Sequence, residues 1–258
     1  MKKRLLAPAV AGAIALAVVL LSSFSGKYVT VMTYNVGAFG KYSKSSVKAV
    51  AKVVRASGAD IVGLNETDSC NIRHNTFQVR DLAKRLGWDY AFSRALRFGG
   101  GSYGNGIVSS EKILSSYSID LPKDTGAETR SASVVETEDL VFASVHLDYK
   151  TESAQFAQLK VINDHFSSRY AGYGKPVILT GDFNALPGSP VMQSMDSLWT
   201  KLSADDLTFP SKGPVKCIDY VYALSSARGV RVNRVKVIQN KKASDHIPVV
   251  VRLRILPQ

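Results

Sequence analysis

Cysteine is nearly missing from this chain of 258 residues: Cys70 and Cys217 are the only two. A disulfide-built scaffold and a cysteine-built zinc module are therefore excluded. Glycine has no three-residue period, which excludes a collagen-like chain. No self-similar unit of roughly 20–50 residues recurs, which argues against a solenoid or a propeller. Charged residues make up 21% and hydrophobic residues 45%, so the chain is too apolar to stay disordered. Acidic residues are in short supply: 21 Asp and Glu stand against 33 Lys and Arg, for a net charge of +12. No Pro- or Ser-rich linker interrupts residues 27–258, so one domain with a full core is predicted there.

The N-terminus reads differently from the rest. Lys2, Lys3 and Arg4 precede an uncharged apolar run at 5–21, followed by Ser22, Ser23, Ser25 and Gly26. That order is the order of a secretory signal, and Ser23-Phe24-Ser25 supplies the small residues of a cleavage site. A lipoprotein anchor is excluded, because the segment holds no cysteine. A retained membrane anchor is the alternative, since 17 apolar residues sit at the short edge of what spans a bilayer. Either reading predicts an exported domain, periplasmic or secreted. An oxidising compartment then leaves a Cys70–Cys217 disulfide open. Without Lys2, Lys3 and Arg4 the chain is still strongly basic. Such a surface attracts polyanions: nucleic acid, anionic lipid headgroups or phosphorylated sugars.

Residues 28–34 (YVTVMTY) alternate and favour a strand. Residues 45–56 put Val47, Val50 and Val54 on one face and Lys44, Lys48 and Lys52 on the other, the pattern of an amphipathic helix with a solvated lysine row. Further strands are predicted at 61–64, 104–109, 132–135, 140–146, 176–180, 218–223, 230–238 and 248–255. Helices are predicted at 75–86, stopped by Gly87, and at 153–167. Strands outnumber helices, and the helices fall between strand groups. That predicts a layered α/β domain with mixed sheets.

Polar residues collect where the apolar strands end. Asn35 follows TVMTY, Glu66 follows DIVGLN, and His146 and Asp148 follow VFASV. Asp182 and Asn184 follow PVILTG, Asp219 opens IDYVYA, and Asp245 and His246 precede IPVVVRL. Each alone is an ordinary turn or cap residue. Together, at the ends of buried strands, they converge on one rim. Carboxylates and amides are hard oxygen donors, suited to Mg²⁺, Mn²⁺ or Ca²⁺. No HExxH helix and no GxxxxGK[ST] phosphate loop occurs. Two histidines beside carboxylates and a hard metal suit hydrolysis of a phosphate ester.

The motifs TYNVG (33–37), DIVGLNE (60–66), YGNGIVS (103–109), SVHLD (144–148), ILTGDFNALPGSP (178–190), TFPS (208–211), CIDYVYA (217–223) and SDHIPV (244–249) resemble, in order and spacing, the endonuclease/exonuclease/phosphatase superfamily. They cover essentially the whole chain after residue 26. The chain departs from the family at Asn65, where a Gln is usual. The resemblance implies a four-layer α/β sandwich of two packed mixed sheets flanked by helices, like deoxyribonuclease I. It implies Glu66 as the principal Mg²⁺ ligand, Asn35 as an amide supporting metal and phosphate, and Asp245 as a further metal or water ligand. Asp182 resembles the residue that activates water, with Asn184 as a donor that also fixes it. His246 resembles the histidine that stabilises the transition state, Asp219 its carboxylate partner, and His146 the second histidine. Arg130 matches a basic family position, to meet phosphate or neutralise a carboxylate. Tyr103 and Asn105 after Gly99-Gly100-Gly101 line the substrate rim or sit in an ordinary hairpin loop. Lys241 and Lys242 read as a solvated loop that could attract a polyanion. The expected substrate is a phosphate ester, of nucleic acid first and of a sphingomyelin- or phosphoinositide-type lipid second, or else the fold serves as a binding module. No protein partner is implied, and a monomer is expected.

Overall fold

The computed structural model describes residues 26–40, 46–124 and 127–257. The predicted export segment lies outside them, as do Lys44 and Ser45 of the lysine-faced helix. Twelve strands form two sheets of six. One holds β1 (Tyr28–Asn35), β2 (Ile61–Ser69), β3 (Asp89–Phe98), β4 (Gly101–Ser109), β11 (Val230–Val237) and β12 (Val249–Ile255), in the order β11-β12-β1-β2-β4-β3. The other holds β5 (Ser115–Leu121), β6 (Arg130–Glu136), β7 (Val141–His146), β8 (Val177–Asp182), β9 (Trp199–Lys201) and β10 (Asp219–Leu224), in the order β5-β6-β7-β8-β10-β9.

Three apolar clusters glue the layers. Val50, Val54 and Leu82 of helices α1 (Val47–Ser57) and α2 (Gln78–Leu86) pack on Met32 and Leu64 of the first sheet. Leu159, Ile162 and Phe166 of α3 (Glu152–Tyr170), with Val191 of the short α4 (Pro190–Gln193), pack on Val145 and Leu179 of the second. Val31, Ile61, Phe142, Ile178, Val221 and Val251 fill the space between the sheets. The result is helix, sheet, sheet, helix: the four-layer α/β sandwich expected from the sequence.

Each sheet carries one parallel pair at its centre. β1 and β2 are parallel and joined through α1; β7 and β8 are parallel and joined through α3. The remaining neighbours are antiparallel. The parallel ladders end on Asn35 opposite Asn65 and on His146 opposite Asp182. The polar strand ends seen in the sequence are thus two ladder ends brought face to face.

Local chemistry sets the boundaries. The Ser46 hydroxyl accepts from Ala49 N at the start of α1, and Gly58 ends it with φ 69°. α2 begins at Gln78, later than predicted, because Phe77 bridges to Ser69 and is held extended. The structure also has β3, β5 and β9, which the sequence reading lacks. All three lie at sheet edges, where half-exposed strands carry polar residues instead of apolar runs. Two of the alternatives left open are decided. Cys70 is exposed and Cys217 buried, and both are free thiols, so the disulfide is not formed. Tyr103 and Asn105 lie inside β4, beyond the turn at Gly99 and Gly100, not in the hairpin loop.

Gly63 fixes the spacing of the sheets. A Cβ there would lie 2.5 Å from Thr180 Oγ1 and 3.0 Å from Ser144 Cβ, both on the facing sheet. Gly63→Ala is expected to push the sheets apart and destabilise the fold by about 1–3 kcal/mol. A urea titration reads this as a lowered midpoint; an unchanged midpoint would show that the contact yields freely.

Candidate active site

Asp182 ends β8 and is 2% exposed. Gly181 precedes it because a Cβ at that position would sit 1.9 Å from Val145 O. A carboxylate buried this deeply needs donors, and two reach it: Asn35 Nδ2 donates to its Oδ2 at 3.0 Å and Asn184 N to its Oδ1 at 2.9 Å. The backbone N–H of Asp182 in turn donates to Asn65 Oδ1 at 3.1 Å and ties the residue to the first sheet. Asn184 holds its position with φ 50° and a bond from Nδ2 to Leu147 O. The two histidines flank the same oxygen: His146 Nε2 at 3.5 Å and His246 Nε2 at 3.6 Å.

The two rings are not equivalent. His246 Nδ1 lies 2.9 Å from Asp219 Oδ2, and its ring stacks obliquely on Phe209 at 4.7 Å. Burial pushes the His246 pKa down, but the charges of Asp219 and Asp182 outweigh it and raise it to about 10, so the ring is an imidazolium. His146 Nδ1 instead faces Arg130 Nη1 at 2.9 Å. A guanidinium can only donate, so Nδ1 presents its lone pair and the ring proton sits on Nε2, facing Asp182. Arg130 also pairs with Glu128 at 3.3 Å. It therefore meets both a histidine and a carboxylate.

Burial, and then the charge of Asp219, raise Asp182 to about 7, against the opposing pull of His246, Asn35 and Asn184. Near neutrality it is poised to take a proton.

Glu66 reaches this group through a bulge. Between Leu64 and Thr67 β2 holds one residue more than β4, and Glu66 adopts φ 56°. The bulge turns Asn65 inward: its Nδ2 donates to Val145 O at 2.8 Å and to Asn105 Oδ1 at 3.0 Å. Glu66 accepts from Asn35 Nδ2 at 3.2 Å and lines the cleft with Asp245. Burial raises the Asp245 carboxyl; His246 opposes this and the charge of Glu66 adds to it. Two repelling carboxylates with hard oxygens are a donor set that fits a divalent cation. A second metal-competent group, Asp182, Asp219 and His246, has ligand atoms within 4.8 Å of one another. Its imidazole already pairs with both carboxylates, so Glu66 and Asp245 fit the metal better.

The cleft above these residues measures about 750 Å³ and is also lined by Tyr103, Arg130, Tyr149, Leu186, Phe209 and Lys216. Several expectations need correction. Asn35 Oδ1 accepts from Gly37 N, and its Nδ2 donates to Glu66 and Asp182, so the amide positions both carboxylates. Asn105 is 2% exposed and spends its amide on Asn65 and Ser131 O, behind the cleft. Asp148 caps the turn into α3 through Lys150 N and Thr151 N. Lys241 and Lys242 are exposed loop residues, as the sequence suggests, and lie outside the cleft lining, while Lys216 lines it without having been predicted. Ser244 was also missed as a tie: its hydroxyl donates to Asn35 O and accepts from His246 N. Its place in SDHIPV was the available signal. The string Gly100-Gly101-Ser102-Tyr103-Gly104 has the spacing of a serine-hydrolase elbow. It lies in an antiparallel strand with Ser102 opposite Arg97, without the strand-to-helix turn an elbow requires.

A two-sheet α/β sandwich with paired carboxylates and two unlike histidines where the sheets meet is the architecture of a phosphoesterase. The family model for the endonuclease/exonuclease/phosphatase family matches residues 32–246, and the chain belongs to that family. No curated protein matches the sequence. Among solved structures, the mannosyl-6-phosphatase Bt3783 of Bacteroides thetaiotaomicron is 20% identical with a TM-score of 0.72, covering 87% of this chain and 99% of its own. The human Nocturnin catalytic domain with bound sulfate is 20% identical at TM-score 0.69, covering 90% and 98%. An endonuclease/exonuclease/phosphatase from Beutenbergia cavernae is 22% identical at TM-score 0.71, covering 89% and 72%. At these identities the likeness is one of fold.

The shifted groups fix the sign of the pH response without metal. His246 is raised from 6.5 to about 10, so the stability it contributes is full below about 6.5 and lost as pH rises through about 10. Asp182 is raised from 3.8 to about 7, so its contribution is full below about 3.8 and lost as pH rises through about 7. Thermal unfolding of metal-free protein should therefore give a lower midpoint at about pH 9 than at about pH 5. Asp219→Asn should flatten the alkaline part of that decline; an unchanged slope would remove Asp219 as the cause.

Proposed function

We propose that this protein is an exported, divalent-metal-dependent phosphoesterase acting on phosphodiesters of the nucleic-acid type. The observation that carries the reading is Asp182, a buried carboxylate fixed by Asn35 and Asn184 between an imidazolium and a neutral, tautomer-locked histidine. A divalent cation held by Glu66 and Asp245 would neutralise charge on a phosphoryl oxygen. Asp182 takes the proton of the attacking water as the new O–P bond forms. His246, kept cationic by Asp219, stabilises the equatorial oxygens and supplies a proton as the ester P–O bond breaks. His146 donates from Nε2 to a phosphoryl oxygen. Tyr149 and Phe209 offer aromatic faces for a base or sugar ring, and Lys216 adds positive charge at the rim. The apolar side chain of Leu186, 49% exposed at the mouth, favours a second reading with a lipid phosphoester. The mannosyl-6-phosphatase resemblance keeps sugar phosphates on the substrate panel.

Plasmid DNA, RNA, sphingomyelin vesicles, phosphoinositides and a hexose 6-phosphate, each with Mg²⁺ or with chelator, form the test. DNA or RNA cleavage is expected, lost on chelation and restored by Mg²⁺. Asp182→Ala and Glu66→Ala should each lower turnover by at least about 10²–10³-fold with the fold intact by circular dichroism. Lipid or sugar-phosphate hydrolysis with intact nucleic acid would replace the substrate class. Undiminished turnover in Asp182→Ala would overturn the site.

A further inference from the structure

The outer face of the β11–β12 hairpin is built against its own stability. Arg231 stands directly across from Arg254, and Arg234 directly across from Arg252. Like charges paired across strands repel. Lys236 extends the row along β11. Among the described residues, Arg231, Arg234, Arg252 and Lys236 form no ion pair. Arg252 lies over the ring of Tyr28 at 4.7 Å, and Lys236 reaches Ser57 O at the end of α1. Between them opens a shallow cleft of about 410 Å³, whose one acidic residue, Asp60, already accepts from Thr30 N.

Two further observations fall at the same end of the sheet. Tyr28 and Leu256 are large apolar side chains exposed by 45% and 38%. The chain also enters the fold here: Lys27 O accepts from Ile255 N, and Gly26 packs against Arg254. Only residues 22–25 separate Gly26 from the apolar run at 5–21.

We propose that this face docks the protein on a membrane surface rich in anionic phospholipid. Headgroup phosphates meet Arg231, Arg234, Lys236 and Arg252, while Tyr28 and Leu256 sit at the boundary with the acyl layer. Cations mixed with an aromatic and aliphatic fringe match such a boundary. A nucleic-acid backbone would meet the cations but offers no apolar layer to the fringe. The apolar run that shortly precedes Gly26 in the sequence points the same way. Asn35 ends β1 seven residues beyond Tyr28, about 23 Å away at ~3.3 Å per residue. Docking therefore leaves the active cleft open to solvent. The inference does not rest on the catalytic reading.

The test uses the protein as recovered from the expressing cell. Hydrogen exchange of β11 is followed with phosphatidylcholine vesicles, with vesicles also containing phosphatidylglycerol, and with duplex DNA. Protection of β11 is expected on the phosphatidylglycerol vesicles alone, and high salt should reverse it. The triple variant Arg231→Gln, Arg234→Gln, Arg252→Gln should weaken binding about a hundredfold, at about fivefold per cation. Lys48→Gln with Lys52→Gln, which lowers net charge elsewhere, should not. Retained hydrolysis of a soluble phosphate ester in the triple variant would show that it folds; if it is inactive, the single variant Arg234→Gln takes its place, with about fivefold expected. Equal protection on both vesicle types, no protection, or protection by DNA instead would each overturn the proposal.

Discussion

One buried charge organises this molecule. Asp182 sits between two sheets, and no single element could satisfy it. Asn35 comes from β1, Asn184 from the loop after β8, and the histidines from β7 and from the approach to β12. The sheets must meet at a fixed distance and angle for those donors to coincide. Gly63 permits that approach, and Asn65 enforces it from the other side. The side chain of Asn65 ties Val145 O and the backbone N–H of Asp182 to the first sheet, so the buried carboxylate and the packing of the sheets are one problem with one solution.

The arrangement sets stability against chemistry. Asp182, Asp219, Asp245 and Glu66 crowd their negative charge into a small volume, and the buried His246 answers three of them. A compact fold tolerates this because three apolar clusters hold the layers regardless. The strain shows in the backbone as well. Glu66 and Asn184 occupy the left-handed region, which side chains other than glycine rarely adopt. Both flank the cleft, where a bend that aims a side chain is worth its cost.

The sequence made the layered fold readable because buried central strands announce themselves as short apolar runs. It made the site readable because polar residues at the ends of such runs are conspicuous. Edge strands β3, β5 and β9 were opaque for the converse reason: burial on one face only leaves a mixed pattern. Side-chain direction was opaque too. Asn35 and Asn105 stand at the right positions, but only coordinates show which atom of each amide faces inward. The tautomer of His146 depends on Arg130, a residue on a neighbouring strand that no spacing rule connects to it. Ser244 and Lys216 act through tertiary contacts and left little trace in the pattern.

The strand order has a bearing on how the chain reaches this state. β12, the last described strand in the sequence, inserts between β11 and β1 in the first sheet. Until it arrives, β1 has an open edge and His246 has no fixed place beside Asp182. The first sheet is thus unfinished, and the site incomplete, for as long as the chain is being made. Contacts this distant in sequence make folding slow. A nascent chain of this topology cannot complete its site until nearly all of it is present, so the closing of the first sheet and the completion of the site are the same late event.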